Sequence, residues 1–134
     1  MKTVAISGFF NPVHIGHLDY MKAAKALGDH LIVIVNTDLQ VKQKGSKQFM
    51  KEKDRLRIIR SLKIVDEAYL SIDIDRTVRE TLRKIKPDIF ATGSDHTPDN
   101  TMEYKTCQEL GIKFAYGVGG KKVQSSSSII NNIK

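Results

Sequence analysis

The chain has one cysteine in 134 residues, no tryptophan, and no apolar run near the ~20 residues needed to span a bilayer. A single thiol, Cys107, excludes an intrachain disulfide and suits a reducing compartment. No cationic start precedes a signal-peptide core, and with no membrane-spanning run the expected setting is cytoplasmic, without a membrane partner. Aromatics are 7% of the residues and do not interleave with the basic segment, which argues against a stacking platform for nucleic acid. His14 and His17 lie three apart, but His30 and His96 stand isolated, so a zinc site would want a third ligand and none is expected.

What is present is ordinary in bulk and uneven in detail. With 40% hydrophobic and 28% charged residues, residues 1–134 have the size and composition of one domain that buries most of its apolar surface. The net charge of +7 points to anionic partners. Between Lys42 and Arg60, the cations Lys42, Lys44, Lys47, Lys51, Lys53, Arg55, Arg57 and Arg60 face only Glu52 and Asp54. Such a run is a solvated face, a triphosphate clamp or a nucleic-acid patch, and charge alone does not choose.

Apolar runs of strand length alternate with longer helical patterns, the signature of parallel βαβ units. Strands are expected at residues 3–7, 31–36, 67–71, 89–92 and 113–116. Helices are expected at 15–26, 53–62, 76–85, 101–110 and 127–132. The first two strands lack polar alternation, as in a sheet covered on both faces. The expected fold is α/β: a Rossmann-like, doubly wound parallel sheet of about five strands with helices on both faces. Residues 38–50 show no hydrophobic period and read as a long loop, of the kind that carries function.

The densest signal is Gly8-Phe9-Phe10-Asn11-Pro12-Val13-His14-Ile15-Gly16-His17, which leaves the first strand and enters the first helix. Gly8 permits a sharp turn, and the helix start offers free N–H groups to an anion. Histidines beside it can meet charge developing on a phosphoryl oxygen, although either could act as a general base. Gly16 lets backbone approach a bulky anion, or simply packs helix against sheet. In a doubly wound sheet ligands bind beyond the carboxyl ends of the strands, and the turn at residues 8–17, Asn36-Thr37-Asp38, Gly93-Ser94-Asp95 and the serine run near the end all fall there.

This segment resembles the signature of the HxGH nucleotidyltransferases. His14-Ile15-Gly16-His17 is similar to the four-residue core, and Gly8-Phe9-Phe10-Asn11-Pro12 to the lead-in G-x-F-[DN]-P. Val35-Asn36-Thr37-Asp38, Asp54-Arg55 and Ser126-Ser127-Ser128-Ile129-Ile130 follow in the family's order, so the resemblance covers nearly the whole chain. It implies an enzyme in which an acceptor phosphate attacks the α-phosphate of ATP or CTP and expels pyrophosphate. His14 and His17 would stabilise the transition state, and Lys44 the flanking phosphates. Gly8, Phe9, Phe10, Asn11, Gly16, Arg55, Gly93, Asp95, Ser126, Ser127 and Ser128 would bind the nucleotide. For the serines, a plain helix start is the competing reading. Mg²⁺ would arrive on the nucleoside triphosphate.

The resemblance is greatest to the sugar- and polyol-phosphate branch, which includes glycerol-3-phosphate cytidylyltransferases and heptose-1-phosphate adenylyltransferases. An FMN adenylyltransferase is the alternative. Phe10-Asn11-Pro12 and the serine run incline toward ATP, and a homodimer is compatible with the family. A regulatory module that binds nucleotide without turnover stands as a rival, as does a nucleic-acid-binding protein suggested by the basic segment.

Overall fold

The computed structural model describes residues 1–93 and 97–119. Asp95, the serines at 126–128 and the expected last helix lie outside the described residues.

Five strands, β1 (Thr3–Gly8), β2 (His30–Val35), β3 (Glu67–Leu70), β4 (Ile89–Ala91) and β5 (Lys113–Ala115), form one parallel sheet in the order β3-β2-β1-β4-β5. The chain winds outward from β1 to β3, returns to the other side of β1 as β4, and continues to β5. The order therefore reverses between β1 and β4, and their carboxyl ends form the switch point at which such sheets bind ligands.

Alternate residues of each central strand supply two separate cores. Val4, Ile6, Leu31, Val33 and Val35 point to one face, where Met21 and Ala24 of α1 (Ile15–Lys25) and Ile59 of α3 (Glu52–Arg60) cover them. Ala5, Ile32 and Ile34 point to the other, against Leu82 of α4 (Arg79–Ile85) and Cys107 of α5 (Glu103–Leu110). Both faces being covered, Leu31 to Val35 can be apolar without a break. Cys107 stands in a polar stretch of sequence but packs into the second core, and burial pushes its thiol up to about 11. Among the described residues no helix is long and apolar enough to cross a membrane.

Two elements depart from the sequence reading. The expected loop from residue 38 contains a helix, α2 (Asp38–Lys44). Thr37 caps it, its hydroxyl accepting from the Gln40 amide while the Gln40 side chain accepts from the Thr37 N–H, and Gly45 ends it at φ +80. The fourth helix starts at Arg79 rather than 76, because the buried Asp73 carboxylate accepts the N–H groups of Glu80 (2.8 Å) and Thr81 (3.0 Å). That holds the preceding residues as a loop. Gln40 fastens the same loop, donating to the carbonyls of Asp75 and Thr77.

Carboxylates pin the opposite, amino ends of the strands. Asp66 accepts the Leu31 N–H at 2.8 Å and pairs with Lys25 at 3.1 Å; Asp88 accepts the Thr3 N–H at 2.8 Å. These backbone hydrogen bonds hold both carboxyls below the usual carboxylate range. For a depressed folded-state value, the stabilisation is complete above the unfolded value and is lost as pH falls through the folded one. The thermal midpoint is therefore expected to decline as pH drops below about 4. Scanning calorimetry of Asp66→Asn should show a lower midpoint at pH 7 and a shallower acid decline; an unchanged profile would remove this pin.

Candidate functional site

The turn between β1 and α1 is built around a buried ring. Phe10 adopts φ +51 and is 1% exposed, and its ring occupies the space beside Gly8, where a Cβ would come within 2.7 Å of Cζ. Only glycine fits at position 8 without moving that ring. Phe10 meets the His17 ring edge-on at 5.0 Å between centroids. Phe10, expected among the nucleotide ligands, is thus a core side chain that supports His17.

His14 is the N-cap of α1 and His17 its third helical residue. The His14 Nδ1 accepts the Gly16 N–H at 3.1 Å, and the His17 Nδ1 accepts the His14 N–H at 3.1 Å. The two rings stack at 3.8 Å between centroids. Each neutral ring therefore carries its proton on Nε2. The helix start does not hold out its Gly16 N–H to an anion, as the sequence suggested; it gives that donor to His14. The two Nε2–H groups are set side by side at the positive end of a helix. With each Nδ1 used as an acceptor, the two rings are set as neutral imidazoles of one tautomer.

Arg55, expected at the phosphates, is 0% exposed and faces no solvent. Its Nη1 donates to the carbonyls of Phe9 (2.7 Å) and Asn36 (2.6 Å), its Nε to Met50 (3.0 Å), and its Nη2 to the Asp38 carboxylate (2.8 Å). It ties the turn after β1, the end of β2, the start of α2 and the approach to α3 into one body. Asn11, also expected on the nucleotide, is 9% exposed and engages the backbone of residues 47–50.

Lys44 closes α2 with its ammonium 4.4 Å from the centre of the half-buried Phe9 ring, and Lys47 lies 5.7 Å from the ring of Phe49, which is 50% exposed. Lys44 is thereby carried to the β1 turn that bears both histidines. Beyond the switch point, the Gly93 carbonyl accepts from Gly117, and the Tyr20 hydroxyl of α1 donates to the Ala91 carbonyl at 2.5 Å. Burial pushes that phenol's pKa upward. A cleft of about 500 Å³ opens beside Asp38, Lys51, Glu52, Lys53 and Asp54, with neither histidine on its wall. Among the described residues no group of three or more His, Cys, Asp or Glu could hold a metal ion.

Sequence reasoning missed α2 and the buried Gln40, although Thr37-x-x-Gln40 is a capping-box pattern and Gly45 a helix-stop signal. The structural work of Arg55 and Asn11 carries no such mark, since nearly all their partners are main-chain atoms.

Two outcomes follow. Arg55→Ala should lower unfolding stability by ~3–5 kcal/mol, because four acceptors lose a buried cation, and urea denaturation would measure it. His17→Ala should reduce turnover by ~10²–10³ if the ring acts as an oxyanion donor. It should also cost ~1 kcal/mol of stability through the lost cap. Near-normal turnover in a folded His17→Ala protein would remove the ring from the chemistry.

A cytidylyltransferase-like family model matches residues 5–132. An FAD synthase of Ferroglobus placidus is 40% identical over 113 residues, which are 84% of this chain and 72% of that protein. Another, from Methanothermus fervidus, is 44% identical over 109 residues, covering 79% of this chain and 74% of that one. The bifunctional protein HldE of Helicobacter pylori is 36% identical over 135 residues, 99% of this chain but only 28% of that protein. A solved structure, the lipopolysaccharide core biosynthesis protein from Thermoplasma volcanium, superposes with a TM-score of 0.73 at 34% identity, over 87% of this chain and 93% of that one. The family match runs from β1 through the turn that carries both histidines and onward past β5. The chain belongs to the cytidylyltransferase-like family, and so to the nucleotidyltransferases.

Proposed function

We propose that this enzyme joins AMP from ATP to the phosphate of FMN and releases pyrophosphate. The observation that carries the transfer chemistry is the pair of Nε2–H donors at the switch point, each fixed by a backbone hydrogen bond on its other nitrogen. An oxygen of the acceptor phosphate attacks the α-phosphorus, and the bond to the pyrophosphate oxygen breaks on the opposite side. The nucleophile is already ionised, so no general base is required. His14 and His17 donate to the non-bridging α-phosphate oxygens as charge gathers on them. Lys44, with Lys47 assisting, balances charge on the neighbouring phosphates. The triphosphate would bring Mg²⁺ with it, which would offset phosphate charge without a dedicated protein site. Gly93 at the end of β4, Asp95, and Ser126, Ser127 and Ser128 complete the proposed nucleotide site.

The sequence resemblance favours a sugar or polyol phosphate as acceptor; two observations favour a flavin. Relatives at 40% and 44% identity are named FAD synthase, and FAD is FMN bearing an AMP group, which also makes ATP the donor. Phe49, 50% exposed, carries the Lys47 ammonium close by, a combination suited to a flat ring bearing a phosphate. A sugar 1-phosphate is the second reading, supported by the HldE alignment, which spans 99% of the chain.

A pyrophosphate-release panel crossing ATP and CTP with FMN, glycerol 3-phosphate and aldose 1-phosphates tests this. Turnover is expected with ATP and FMN. Turnover with ATP and an aldose 1-phosphate alone would install the second reading, and silence in every well would leave a nucleotide-binding regulator.

A further inference from the structure

Asn11 makes three hydrogen bonds to one short segment. Its Oδ1 accepts the N–H groups of Phe49 (2.9 Å) and Met50 (3.1 Å), and its Nδ2 donates to the Lys47 carbonyl at 2.8 Å. The segment presents two donors and one acceptor, and a primary amide answers both polarities at once. A carboxylate would keep the two N–H groups but set a negative oxygen against the Lys47 carbonyl. The same stretch ends on Arg55, through the Met50 carbonyl, and begins after the left-handed Gly45 that closes α2. It carries the Lys47 ammonium and the Phe49 ring.

We infer that Asn11 is a positioning residue rather than a nucleotide ligand. It clasps residues 47–50, which carry Lys47 and Phe49, to the β1 turn that carries Phe9, and it must be an amide to do so. The catalytic consequence rests on the proposed transfer reaction; the clasp itself does not.

Asn11→Asp is the test, read first by trypsin at pH 8. Cleavage after Lys47 is expected to accelerate about tenfold, the scale of one lost hydrogen bond plus an opposed oxygen pair. The KM for ATP or FMN should rise by a similar factor, with kcat within about threefold of the parent protein. Protonating the new carboxyl restores a donor, so the KM ratio to the parent should shrink as pH falls from 8 toward 5. Phe49→Pro, which deletes one N–H of the clasp, should open the segment more than Phe49→Ala, which keeps it. Unchanged cleavage in both Asn11→Asp and Phe49→Pro would overturn the clasp, as would a fall in kcat with KM and cleavage unmoved. If cleavage responds while the parent protein releases no pyrophosphate with any acceptor, the clasp stands and the transfer reaction fails.

Discussion

One buried guanidinium holds the ligand end of this molecule together. Loops at the carboxyl ends of parallel strands have no ladder of their own, and each must find partners for its carbonyls. Arg55 collects three of those carbonyls and one carboxylate from three stretches of chain. A rigid, planar fork of donors can do this where a lysine could not. The cation is stable without solvent because its partners surround it, and the loops are ordered because the cation is there. Phe9, Asn36, Asp38 and Met50 are therefore positioned as a set by one side chain that faces no solvent.

The histidines show the same economy on a smaller scale. A phosphate site made of bare helix amides would bind an anion in its ground state as well as in flight. Here Gly16 gives its N–H to an imidazole nitrogen, which leaves that ring's proton on Nε2. The donor moves from the helix axis to the edge of a ring, where it reaches further and aims more narrowly. Phe10, seated against Gly8, fixes the plane of the second ring.

Much of this was legible in the sequence, and the rest was hidden for identifiable reasons. The strands were visible because a sheet covered on both faces needs unbroken apolar runs, and Leu31 to Val35 is such a run. The histidine turn was visible because glycine, proline and paired histidines are rare together. Helix α2 was obscured because a cap at Thr37 and two buried residues, Gln40 and Val41, stabilise it in place of an apolar stripe. Arg55 looked like one more cation in a basic segment; only the folded chain brings its carbonyls together. Asn11 looked like a ligand because its partners are main-chain atoms, which any sequence would supply.

The reciprocal cap also explains the interval between the two histidines. An N-cap residue and the third residue of its helix are three apart by the geometry of the α-helix, whatever the helix is for. The spacing of the motif is therefore a property of the first helical turn and only secondarily a measure of a phosphate. Sliding either ring by one position would uncap the helix before it misplaced a donor. In both rings Nδ1 is spent on capping the helix, so the motif's chemistry and its fold share the same two side chains.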